Sequence, residues 1–173
     1  FYVPHDIQGL AKLMGGSKAF VAKLQKVFDE GLYDPANEPD IAYPYLFSRF
    51  KGEEWRTQET VAGLLDKHYT THPDGLPGND DTGTMSAWAV FSMMGFYPDC
   101  PGEPAYTITT PRFDRIEITT DPKLCGGREK LVITAEGKGL RIAGMKLGGK
   151  LYKHYRITHK DLTHSGSLEI KRK

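Results

Sequence analysis

The chain has 173 residues, with 23 Lys and Arg against 22 Asp and Glu. So even a balance excludes the basic footprint of a nucleic-acid binder or of a protein drawn to an anionic membrane surface, and no uninterrupted apolar run is long enough to span a bilayer. The 39% apolar content suits a globular protein, and the length allows one domain or one with a small appendage.

The first two-thirds of the chain has helical periodicity. Ile7, Leu10, Leu13 and Met14 recur at helical spacing over residues 6–14 until "MGG" stops the run. Ser17 is the expected N-cap of a second helix, with Phe20, Leu24, Val27 and Phe28 on one face. "GLYDPANEPD" (31–40) is a loop broken by two prolines. A third helical stretch is expected near 41–50, its start restricted by Pro44. Glu53 to Tyr69 forms the clearest helix, with Val61, Leu64, Leu65 and Tyr69 as its stripe, and "THPDGLPGNDDTG" (71–83) is a second turn-rich loop. The segment from Met85 to Phe96 is apolar on almost every side. It is expected to be buried all round, inside a ring of helices that this chain is too short to supply.

After "YPDCPGEP" the pattern changes. "AYTITT", "RIEIT", "KLVITA", "LRIAGMKL" and "SLEI" alternate apolar and polar residues between Gly and Pro turns, which is the strand period. The expected class is therefore α+β, with helices over residues 1–103 and a small antiparallel β unit over 104–173. His154, His159 and His164 are read as surface residues, and Trp88, Met85, Met93 and Met94 as core. Two cysteines, Cys100 and Cys125, are too few for a disulfide framework, and no CxxC or Cys/His cluster suggests zinc. Their pairing is left open. The chain begins FYVPHD, with neither initiator Met nor signal peptide, and the expectation is that the true beginning lies upstream.

Both polar loops join helices that should pack side by side, so their acidic residues can converge. The first offers Asn37, Glu38 and Asp40, and the second Asn79, Asp80 and Asp81. Such oxygen donors suit Ca²⁺, and a carboxylate there could equally activate water as a general base. On the bland reading Asp81 caps the helix near Thr84, Asp80 makes an Asx-turn, and Glu38 is a solvated charge. His5 and Trp55 have equally plain roles in packing.

The stretches "VPHDIQGLAKLMGG", "NEPDIAYPYLF", "WRTQETV" and "DGLPGNDDTGTMSAWAVFSMMGFYP", followed by "ITHKDLTHSGSLEI", resemble family 92 of the glycoside hydrolases, the calcium-dependent exo-α-mannosidases. The likeness runs in order over essentially the whole chain. It implies the C-terminal part of a larger enzyme: the last helices of an (α/α)6 catalytic barrel over residues 1–103, then a β-strand subdomain over 104–173. By motif position the resemblance makes Asp81 the general base of an inverting reaction, with Asp80 beside it. It assigns Asn37, Glu38 and Asp81 to Ca²⁺, and His5, Asp6, Glu38, Trp55, Gln58 and Asn79 to the sugar.

The family's acid, a Glu in an "EGxxWQY"-like stretch, would lie before Phe1. The chain by itself is thus expected to be inactive, its partners being the N-terminal remainder of the protein and a mannose-containing glycan. Neither nucleic acid nor membrane is expected as a partner. An extracellular or periplasmic location follows from the substrate class. The chain departs from the family pattern at Asn79, where some relatives carry Asp, and at Thr84, where many carry Gln. The "YDPA" stretch with Asp34 and Pro35 leaves the linkage open, α-1,2 being the first expectation. The rival readings are a non-catalytic carbohydrate-binding or structural piece, and a different glycosidase or phosphorylase on the same toroid.

Overall fold

Asp6 starts the first helix: its carboxylate accepts the Gly9 N–H at 2.8 Å, and α1 runs over Ile7–Leu13. The structure is a computed structural model and describes all residues from Phe1 to Lys173. α2 covers Ser17–Asp29, with Gly16 rather than Ser17 at the N-cap position and no side-chain cap. Phe20, Val21 and Leu24 of α2 pack with Ile7 and Ala11 of α1 and with Leu46, Phe47 and Phe50 in one buried cluster. Burying each such large side chain stabilises the fold by roughly 1.5–3 kcal/mol.

The helical stretch expected at 41–50 is present as a 3₁₀ segment, Tyr43–Arg49, and a further 3₁₀ turn, Glu38–Asp40, stands at the end of the stretch read as a loop. Pro39 and Pro44 lack the N–H that longer-range helical bonds need, and the ladder closes instead through short bonds from Ile41 N–H to the Glu38 carbonyl and from Tyr45 N–H to the Ala42 carbonyl. α3 (Glu54–His68) packs against the Tyr43–Arg49 segment and buries Val61, Leu64 and Leu65. α4 runs over Thr84–Met94. Met85 and Trp88 are fully buried, yet Val90 is 54% exposed, which corrects the expectation of burial on all sides. Met93 and Met94 are partly buried.

The chain divides into two units, Phe1–Val90 with Asp99–Pro101, and Phe91–Pro98 with Gly102–Lys173. In the first, the returning residue Asp99 is buried and pairs with Arg49 Nε at 2.9 Å, and the Cys100 thiol donates to the Pro4 carbonyl at 3.1 Å. Both cysteines are free and buried.

The second unit holds two sheets. β1 (Phe96–Tyr97), β2 (Ala105–Ile108) and β7 (Arg156–Thr158) form one, in the order β1-β2-β7. β3 (Arg115–Thr119), β4 (Lys130–Glu136), β8 (Ser167–Arg172), β5 (Ile142–Leu147) and β6 (Lys150–Tyr152) form the other, in that order. Alternation places Leu131, Ile133 and Ala135 of β4 in a core with Met145, Leu168 and Ile170. Every pair is antiparallel except β4 with β8, where Val132 meets Ser167 in parallel register, so the unit is mixed rather than purely antiparallel. A short helix, α5 (His159–Ser165), stands where only strand was expected. Thr158 caps it by accepting the Asp161 N–H at 3.0 Å while its hydroxyl donates to the Asp161 carboxylate. His154, His159 and His164 are all exposed, as expected of surface residues.

Candidate active site

Three segments of the helical unit start directly after the stretches that carry the candidate residues: α1 after Val3–Asp6, the 3₁₀ pair after Asn37, and α4 after Asn79–Gly83. In the first loop, Asp34 accepts the Ala36 N–H at 2.9 Å and its carbonyl takes the Asn37 N–H. The resulting turn fixes the backbone and leaves the side chains of Asn37 and Glu38 without protein partners. Asp40 is engaged: burial, and after it the hydrogen bond from the Tyr43 phenol to the Asp40 carboxylate, push the Tyr43 pKa up to about 12.

The second loop meets the first at Gly78. A Cβ at that position would stand 2.7 Å from the Ala36 Cβ, so only glycine allows the approach. Beyond it the two aspartates divide their duties. Asp80 accepts the Ser86 N–H at 2.7 Å through Oδ1 and the Ser86 hydroxyl at 2.8 Å through Oδ2. Those bonds hold its carboxyl below the usual carboxylate range and satisfy a first-turn donor of α4. The Asp80 carbonyl also accepts the Thr84 N–H at 2.7 Å. Helix capping, which spacing alone would give to Asp81, therefore falls to Asp80.

Asp81 has a different environment. Its carbonyl accepts the hydroxyls of Thr82 and Thr84 at 2.6 and 2.8 Å, while its carboxylate is exposed and has no protein partner. The backbone turns left-handed at Asp81 (φ 31), Thr82 (φ 56) and Gly83 (φ 87). For a β-branched residue such as Thr82 this conformation is a genuine outlier, and each such residue costs on the order of 1–3 kcal/mol. The turn holds a free carboxylate out from the start of α4 at the expense of local strain.

Behind the loops lies an aromatic group. The Trp88 indole N–H donates to the Ile41 carbonyl at 2.9 Å. Tyr69 stacks on the indole with centroids 5.3 Å apart and planes at 16°, and Tyr45 meets it edge-on. Burial, then the charge of Asp80, raises the Tyr69 pKa to about 12, so this phenol stays protonated beside the carboxylate. Apolar spacing alone gives Tyr69 only as part of a core stripe. Its position at the last residue before a Gly- and Pro-rich acidic loop is the sequence signal that places it here.

His5 is exposed, as are Asn37 and Asn79, and Asp6 is occupied in capping α1. Trp55 and Gln58 lie in the first turns of α3, about 16–21 Å along the helix from Tyr69 at its far end. Arg56 lies over the Trp55 ring at 4.5 Å, and Gln58 is buried. Asn37, Glu38 and Asp81 offer oxygen atoms that no protein group occupies, which suits a hard cation in kind. No group of three or more His, Cys, Asp or Glu side chains gathers anywhere in the chain, so two carboxylates and an amide are what these positions can contribute.

The family model described as the glycosyl hydrolase family 92 catalytic domain matches residues 1–172. A protein of Arthroderma benhamiae described as an uncharacterized secreted glycosidase is 30% identical over 174 residues, an alignment covering 98% of this chain and 22% of that protein. A solved family GH92 α-mannosidase from Bacteroides thetaiotaomicron matches with a TM-score of 0.85 at 30% identity, over 98% of this chain and 23% of that one. The same enzyme has been solved in complex with mannoimidazole. A family GH92 inverting mannosidase from that species matches with a TM-score of 0.83 at 30% identity, over 98% of this chain and 26% of its own. The chain thus spans about a quarter of the length of the proteins it matches.

Proposed function

The chain belongs to glycosyl hydrolase family 92, and we propose that it acts as the C-terminal part of an inverting, calcium-dependent exo-α-mannosidase that removes terminal α-mannose, α-1,2 linkages first, from N-glycans or mannans. The observation that carries this reading is Asp81: an exposed, partner-free carboxylate on a strained left-handed turn, in a loop that touches the Asn37–Glu38 loop. In the proposed reaction the Asp81 carboxylate takes a proton from a water molecule as that oxygen bonds to the anomeric carbon. The glycosidic C–O bond breaks on the opposite face, and the departing oxygen takes a proton from a general acid. We place that acid, a Glu, outside residues 1–173.

Asp80, tied to Ser86, keeps its negative charge and fixes the start of the turn. Asn37, Glu38 and Asp81 would hold Ca²⁺, which when bound supplies an electrostatic anchor for the mannose O2 and O3 hydroxyls. Asn79 and His5, exposed near the helix starts, are proposed sugar contacts. The relative described as secreted supports an extracellular or periplasmic location.

The test is mannose release from α-linked mannobioses by the full-length protein carrying this chain, with and without a calcium chelator. The reading predicts chelator-sensitive release and a loss of roughly 10²–10⁴-fold in kcat for Asp81→Asn. A folded, calcium-supplied protein that releases no mannose from any linkage would overturn it in favour of a non-catalytic carbohydrate-binding or structural role.

A further inference from the structure

Trp88 has two connections that a core residue does not need. It lies in α4, the helix that begins where the Asp80–Asp81 turn ends, and Asp80 is itself bonded to Ser86, two residues before Trp88. Its indole N–H reaches across 47 positions of sequence to the Ile41 carbonyl at 2.9 Å. Ile41 closes the Glu38–Asp40 turn, since its own N–H donates to the Glu38 carbonyl at 3.2 Å. One buried side chain therefore joins the backbone that presents Asn37 and Glu38 to the helix that presents Asp81. Burial on the Tyr69 ring and against Tyr45 fixes the indole plane and hence the direction of that N–H.

We propose that Trp88 is a positioning residue that sets the spacing of the two acidic loops through its indole N–H. The inference rests on the proposed function for its kinetic consequence but not for its structural one. The only other approach of the loops described above, Gly78 against Ala36, is a van der Waals contact and has no direction. A hydrogen bond to a half-buried carbonyl has direction, and its loss leaves that carbonyl without its protein partner. Removing the N–H while keeping an aromatic ring should loosen the Asn37–Glu38 loop relative to Asp81. Asp81 itself would stay in place, because its turn is held by the Thr82 and Thr84 hydroxyls and by Asp80.

Trp88→Phe in the full-length protein tests this with two readouts. The first is amide hydrogen exchange over residues 36–43, expected to speed by about tenfold while peptides from the five-stranded sheet stay unchanged. The second is kinetic: KM for α-linked mannobiose should rise more than kcat falls, with the pH profile of kcat in place. Val21→Ala, a truncation of a buried side chain in the α1–α2 cluster that does not include Trp88, Tyr69 or Tyr45, is the control for a merely destabilised core and should leave the exchange of 36–43 and KM near wild type. Unchanged exchange over 36–43 in Trp88→Phe, or equal acceleration in Val21→Ala, would overturn the proposal. If the wild-type protein releases no mannose, the function fails and the exchange result still decides the role of Trp88.

Discussion

In the strand unit Glu117 is held by Arg115 and Lys130, Glu103 by Arg156 and Asp114 by Arg172. In the acidic loops of the helical unit, by contrast, Asn37, Glu38 and Asp81 extend side chains that nothing in the protein engages. A missing partner does not by itself mark a site. Glu136 also lacks one, but it ends a regular strand and is freely solvated. At Asp81 the free carboxylate coincides with three successive left-handed residues, a conformation that Asp and Gly accept but that the β-branched Thr82 does not favour and the fold must impose. Paired acids in this molecule do structural work, and the unpaired acid on the strained turn is the one that the proposed reaction uses.

Acids of the paired kind should register in stability, in proportion to their burial. The largest effect is expected at Asp99, fully buried against the largely buried Arg49: Asp99→Ala leaves that guanidinium without its carboxylate and should cost about 3 kcal/mol in denaturant unfolding. A loss well under that would blunt the distinction between paired and free acids.

Asp80 comes next. Asp80→Ala should lower the melting temperature at neutral pH because two bonds to Ser86 disappear. Its folded pKa lies below the ordinary 3.8, so the stability it adds is present above that value and fades as pH falls through the lower folded one. Melting curves of variant and wild type should therefore converge in strong acid. Separation that persists there would point to packing rather than charge.

The smallest effect is expected at Glu117, exposed between two cations. Hydrogen bonds first from Arg115 and then from Lys130 lower its pKa, yet Glu117→Gln should shift melting only slightly, and not at all in high salt.

Much of this arrangement was legible in the sequence, and the failures have physical reasons. α1, α2 and α3 follow from apolar spacing, and the strands from alternation. α5 escaped because seven residues with one buried leucine carry no stripe; its Thr158–Asp161 cap was the available signal. The parallel register of β4 and β8 joins segments far apart in sequence, beyond any local pattern. At the site, residue types marked both acidic loops but could not say which aspartate caps α4, because capping is decided by backbone direction. Nor does "DDTG" announce a left-handed turn at a threonine. Trp88 read as core, and is, but its hydrogen-bond partner lies in another loop and leaves no trace in spacing.

The most direct test of Asp81 as the general base is azide rescue of Asp81→Gly in the full-length protein, using an aryl α-mannoside. Glycine tolerates the positive φ, so the turn should survive while the base is lost. Azide, a small anionic nucleophile that needs no deprotonation, can then attack the anomeric carbon in place of water. The account predicts slow hydrolysis without azide, and with azide a faster release of the aryl alcohol together with formation of the β-mannosyl azide. Undiminished mannose release by Asp81→Gly without azide would contradict it.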